Sequence, residues 1–108
     1  MEARLKTELW VKAHMRRCAG EAAPAFVLHH GDDDSGMVLL KINTLGNGCK
    51  VLTQARDLDG RLGWVGALGG DPVPEADADA FIARQTAMDP DLWVIEIEDR
   101  EGRNWFDD

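Results

Sequence analysis

Apolar and polar positions alternate along this chain with two periods, and the switches between them mark out the elements. Leu5, Thr7, Leu9 and Val11 alternate with more polar neighbours, the period of a half-buried strand. From Val11 the spacing becomes helical: Val11, Met15, Cys18 and Ala22 fall on one side of a run rich in good helix formers. Pro24 closes that run, because the residue before a proline is pushed out of the helical region. The pattern therefore predicts a short strand and then a helix of about 11 residues. One continuous helix from Arg4 is the competing reading.

Strand-like runs separated by turn residues come next. Ala25 to His30 is followed by Gly31-Asp32-Asp33-Asp34-Ser35-Gly36. Met37 to Thr44 then puts Val38, Leu40, Ile42 and Thr44 on one face, with Lys41 and Asn43 on the other. Gly46-Asn47-Gly48 carries the Asn-Gly pair of a type I′ hairpin, and Cys49 to Arg56 alternates again. Asp59-Gly60 is a second such turn, and Leu62 to Leu68 is a glycine-interrupted strand carrying Trp64. Four strands joined by short turns predict an antiparallel meander.

Pro72-Val73-Pro74 reads as a helix entry, with Glu75, Asp77 and Asp79 complementing the positive end of the helix dipole. Ala78, Phe81, Ile82, Gln85 and Met88 follow a helical stripe that Asp89-Pro90 stops. Leu92 to Ile97 is apolar until Glu96, as expected of an inner strand covered on both faces at its start. The tail from Arg103 is expected to be loosely held, unless Trp105-Phe106 pins it. The expected fold is α+β and forms one domain over residues 1–108. It is an antiparallel sheet of five or six strands in the order β-α-β-β-β-β-α-β, with both helices packed on one face.

Charge changes this picture more than composition does. The 108 residues carry 12 Lys+Arg and 20 Asp+Glu, a formal net charge of −8. That balance argues against a broad basic face for nucleic acid. The deficit is uneven: residues 1–17 hold five basic and two acidic residues, net +3, which leaves −11 for the rest. The basic end either docks on the acidic remainder of the same molecule or meets an anionic partner. Two cysteines cannot form a disulfide framework, and no apolar run approaches the roughly 20 residues that span a bilayer. Met1-Glu2-Ala3-Arg4-Leu5-Lys6 lacks the apolar region of a signal peptide, so a cytoplasmic location is expected.

The segment Asp89-Pro90-Asp91-Leu92-Trp93-Val94-Ile95-Glu96-Ile97-Glu98-Asp99-Arg100 resembles the closing segment of a small uncharacterised bacterial family, a domain of unknown function. The resemblance extends to Leu9-Trp10-Val11, Arg16-Arg17-Cys18, Pro24-Ala25, Gly31-Asp32, Gly36, Lys41 and Pro72-Val73-Pro74-Glu75, and so covers nearly the whole chain. It implies a compact intracellular bacterial domain and carries over no activity. In that family's pattern a pair of arginines often stands where this chain has His29-His30, so the resemblance implies no role that needs both imidazoles.

Several constellations invite chemistry. His29-His30 with Asp32, Asp33 and Asp34 offers metal donors, yet adjacent strand residues point to opposite faces and no calcium-loop glutamate follows. His14 and Cys18, four apart on the first helix, would need Cys49 to make three zinc ligands, and both cysteines read better as small buried residues. Asp32 and Asp34 with Glu96 and Glu98 form the candidate set for a metal-dependent hydrolase. Lys12, Arg16 and Arg17, with Lys6, form the candidate surface for an anion or acidic partner, and Trp64 or Trp105 is the aromatic suited to recognition. Gly63, Gly66, Gly69 and Gly70 do not match a phosphate loop, since Asp71 follows.

The favoured expectation is a non-catalytic binding or adaptor module without a cofactor, monomeric or homodimeric. It would contact a protein or small anionic ligand through the basic first helix, and neither nucleic acid nor membrane. The alternative is the hydrolase built on the carboxylates of residues 31–35 and 96–99.

Overall fold

The computed structural model describes residues 6–107. Its first element is a helix, α1 (Thr7–Gly20), and the strand expected over residues 5–11 does not form there; Leu5 itself lies outside the described residues. The alternation misled because Leu9 faces water at 52% exposure, while Val11, His14 and Cys18 line a helical stripe that is buried. The helix ends in a Schellman turn: Ala23 N–H donates to the Cys18 carbonyl at 3.0 Å and Ala22 N–H to that of Ala19 at 3.4 Å. Ala22 holds the left-handed position at φ 56°, where glycine is usual.

The strands are β1 (Ala25–His29), β2 (Val38–Asn43), β3 (Cys49–Arg56), β4 (Leu62–Gly66) and β5 (Trp93–Glu98), with α2 (Glu75–Met88) preceding the last. They form one sheet in the order β1-β5-β2-β3-β4. β2, β3 and β4 make the expected antiparallel meander. β1 does not join it: β5 lies between β1 and β2, antiparallel to the first and parallel to the second. The crossover through α2 makes that parallel pairing reachable, because a parallel neighbour cannot be joined by a tight turn. The first hairpin loop spans residues 44–48, with positive φ at Leu45, Gly46 and Gly48 rather than at an Asn47-Gly48 pair.

The helices lie on opposite faces of the sheet, not on one. Val11 and Cys18 of α1 pack with Val38, Leu40, Trp93, Ile95 and Ile97. Ala78, Phe81 and Ile82 of α2 pack with Leu39, Val51 and Val94. This follows from β2 and β5, where Val38 to Ile42 and Trp93 to Ile95 are buried at every position, as only a strand covered on both sides requires. The tail is part of the core: Phe106 is 1% exposed and packs in the α1 layer.

Candidate functional site

On α1 the cations have different fates. Arg17 donates to the carbonyl oxygens of Trp105 at 2.8 Å and Asp107 at 3.4 Å, which ties the helix to the tail. Lys12 pairs only loosely, at 3.7 Å, with Glu8 one turn earlier. Arg16 is exposed and has no ion pair among the described residues. Leu9, Lys12 and Arg16 follow a helical spacing that puts them on one exposed ridge. On its sheet side α1 contacts β1, an edge strand whose Phe26, Val27 and Leu28 are 47%, 41% and 48% exposed, Val27 on the α1 face and Phe26 on the other.

Trp64 does not stand open in a trough. It is half-buried, stacked on Trp10 with centroids 6.3 Å apart and planes at 27°. Trp10 also meets the edge of Phe106, so this aromatic group joins α1, β4 and the tail.

The hydrolase set does not assemble. Asp32 lies against the start of β5, where its N–H donates to the Asp91 carbonyl at 3.0 Å and its carbonyl accepts from Trp93 Nε1 at 2.8 Å. Glu96 and Glu98 lie five and seven residues beyond Asp91, on the order of 15–25 Å along an extended strand. The Asp32 carboxylate is occupied within its own turn. The backbone N–H of Ser35 and, after the offset of burial, that of Asp34 lower its pKa. Asp34 pairs with Lys6 at 3.5 Å.

A different group converges. Thr7 N–H and Glu8 N–H, at the open end of α1, donate to the Asp34 and Asp33 carbonyls at 3.4 and 3.0 Å. Thr7 Oγ1 adds a bond to the Gly36 carbonyl at 2.9 Å. This brings single donor atoms of Glu8, His30 and Asp33 within 4.8 Å of one another. His30 Nε2 donates to Asp33 Oδ1 at 2.5 Å, and its ring lies against Trp93 with centroids 4.0 Å apart. The close approach needs glycine: a Cβ on Gly31 would stand 2.2 Å from the Asp91 carbonyl oxygen. His29 goes elsewhere, to the Leu92 carbonyl at 2.6 Å, beside the bulge that ends β1. The acidic turn was visible in the sequence, but Glu8 was not, because only the docking of α1 on the loop brings it there.

The second polar centre is buried. Lys41 is 3% exposed, and its ammonium donates to Glu75 Oε2 and Asp79 Oδ1, each at 2.7 Å, with Glu96 Oε1 at 3.5 Å. Glu96 also accepts from Asn43 Nδ2 at 3.1 Å. Burial alone would lower the Lys41 pKa, but the bonds to Asp79 and Glu75 and the charge of Glu96 outweigh it and hold it well above the ordinary value. With one ammonium enclosed by carboxylates from α2 and β5, this cluster clamps α2 to the sheet. Cys49 and Cys18 are both buried free thiols, pushed up in pKa chiefly by desolvation, and neither is poised as a nucleophile.

Residues 5–107 match the model of a family described as protein of unknown function, DUF1491. The chain belongs to this family. A crystal structure of a DUF1491 family protein from Caulobacter crescentus CB15 is similar at 36% identity and TM-score 0.84, over 95% of this chain and 94% of that one. An NMR structure of a DUF1491 family protein from the same organism gives 35% identity and TM-score 0.81, over 96% and 94%. Protein Atu0922 from A. tumefaciens is similar at 25% identity and TM-score 0.73, over 89% and 86%. No curated protein matches the chain. Membership in the DUF1491 family therefore carries the fold to this chain and assigns no chemistry to it. Among the described residues no helix is long and apolar enough to cross a membrane.

Proposed function

We propose that this DUF1491 protein is a non-catalytic binding module that takes an acidic, extended segment of a partner protein. The contact surface is the exposed ridge of α1 together with the adjoining edge of β1. The observation that carries this reading is Arg16, an exposed arginine left without an ion pair among the described residues in a chain with 20 acidic residues. Self-neutralisation accounts for Lys6, through Asp34, but leaves Arg16 and most of Lys12 open to a partner. β1 supports the reading with a row of backbone groups facing away from β5 and with Val27, 41% exposed and paired with Ile95, on the same face of the sheet as α1. Main-chain pairing along an edge, with pockets or charges for alternate side chains, is a general mode of peptide capture. A convex helix ridge suits such a segment better than a small anion, which is usually held in a concave site.

The test is an NMR titration of the labelled protein with a peptide alternating glutamate and valine. Amide shifts are expected at Lys12, Arg16 and along β1, fading as salt is raised. Lys12→Glu/Arg16→Glu should abolish them, and Arg84→Glu on α2 should not. Binding that survives the α1 double reversal would refute the proposal, as would shifts that map to another face.

A further inference from the structure

The geometry points to a divalent-metal site at the junction of α1 with the 30–36 loop, formed by Glu8, His30 and Asp33. It does not rest on the binding reading, since it uses neither Arg16 nor β1, and Lys12 meets it only through the 3.7 Å pair with Glu8. An imidazole nitrogen and two carboxylates make a donor set for a first-row ion such as Zn2+ or Mn2+, whereas Ca2+ and Mg2+ prefer oxygen alone.

Three features make this a constructed site rather than a chance meeting of surface acids. First, ligands about 2.1 Å from one ion stand roughly 3–3.5 Å apart. The three donor atoms already lie within 4.8 Å, so small side-chain rotations close the site. Second, the donors are held from behind. Trp93 fixes the His30 ring, the Trp93 indole N–H is tied to the Asp32 carbonyl, and Glu8 and Asp33 are joined through a backbone hydrogen bond of 3.0 Å. Third, His30 and Asp33 line an open depression of about 500 Å3 whose other walls include Asp32, Asp91 and Pro90. With three protein ligands, an ion here keeps a coordination position for water or a small ligand from that depression.

A carboxylate can only accept, so the present contact requires the proton on Nε2 of His30. Metal binding replaces that hydrogen bond: the ring proton takes its place on Nδ1, and Nε2 and the Asp33 oxygen turn their lone pairs to the ion.

The experiment follows thermal unfolding with Zn2+, Mn2+, Mg2+ and Ca2+ in separate arms. The melting temperature should rise by about 10 °C when free Zn2+ exceeds its Kd about a hundredfold. Mn2+ should give a smaller rise, and Mg2+ and Ca2+ little. The rise should vanish in His30→Gln, Glu8→Gln and Asp33→Asn, and persist in His29→Gln. A measurement on the unaltered protein guards against a variant that fails to fold. Substoichiometric Mn2+ should broaden the ring resonances of His30 before those of His14. No stabilisation by Zn2+ or Mn2+ would overturn the site, as would a rise that survives His30→Gln or broadening centred on another residue.

Discussion

Lys41→Met tests the reasoning about the buried ammonium most directly. Methionine matches the lysine stem in length and fills the same space between β2 and α2. What it removes is the charge that Glu75, Asp79 and Glu96 face at 2.7, 2.7 and 3.5 Å. Breaking a buried pair by deleting one partner costs about 3–5 kcal/mol, because the other charge is left without compensation. Glu75 and Asp79 are 54% and 55% exposed and can turn to water, whereas Glu96 is 13% exposed and cannot. The loss therefore belongs at the lower end, about 3 kcal/mol, or about 12 °C in melting temperature for a domain of this size.

Urea unfolding followed by the fluorescence of buried Trp93 measures it. Adding Glu96→Gln to the Lys41→Met background should recover part of the loss, while Glu75→Gln or Asp79→Asn alone in the original chain should cost no more than about 1 kcal/mol. The pH dependence has a definite sign. The pKa of Lys41 is raised on folding, so its contribution is complete below the unfolded lysine value of about 10.4. Above that the unfolded chain sheds the proton and the folded one keeps it, so stability falls as pH rises. Lys41→Met should flatten that alkaline limb. A loss below about 1 kcal/mol would refute the argument, showing that the carboxylates relax into solvent and that the lysine holds nothing together.

Other consequences are simpler. Phe106→Ala should lower stability by about 3–5 kcal/mol by thermal melting, since the ring is 1% exposed; a change below about 1 kcal/mol would return the tail to a loosely held state. Hydrogen bonds from the Arg103 side chain, against the opposing pull of burial, hold the Asp99 pKa below its usual value. Stability from this pair is full above the unfolded aspartate value of about 3.9 and is lost as pH falls through the lower folded one, so Asp99→Asn should flatten the acid limb of a pH–stability curve. Ala22→Gly should stabilise by about 0.5 kcal/mol in urea melts, because the relief at φ 56° exceeds the extra freedom of glycine in the unfolded chain.

The legible parts of the fold were those with a local cause. The meander of β2, β3 and β4 follows from alternation and glycine turns, and the bounds of α2 follow from Pro74 before it and Asp89-Pro90 after it. What was not legible depended on which neighbour a strand takes. Lys41 and Asn43 were correctly set opposite Val38, Leu40 and Ile42, but that second face reads as solvent until α2 covers it. A lysine at such a position is the normal mark of an exposed face. Only the paired carboxylates of Glu75 and Asp79, one turn apart on α2, explain why it lies inside. Arg16 and Lys12 could be named from charge alone, but that Arg17 serves the tail could not.

The placement of β5 is what generates both polar centres. Had β1 paired with β2 as a meander requires, the 30–36 loop would be a hairpin turn at the rim of the sheet. Inserting β5 between them makes that loop a long connection that crosses the start of β5, where Trp93 and the Asp91 carbonyl anchor it and the open end of α1 caps it. The parallel register of β5 on β2 then puts Glu96 beside Lys41 and Glu98 beside Asn43. A carboxylate beside a lysine on an inner strand is neutralised where it stands, which removes Glu96 from any role with Asp32 at the other end of the strand. One crossover thus assigns the acidic residues to two tasks: those of the loop face solvent around His30, and those of α2 and β5 hold the layers together through Lys41.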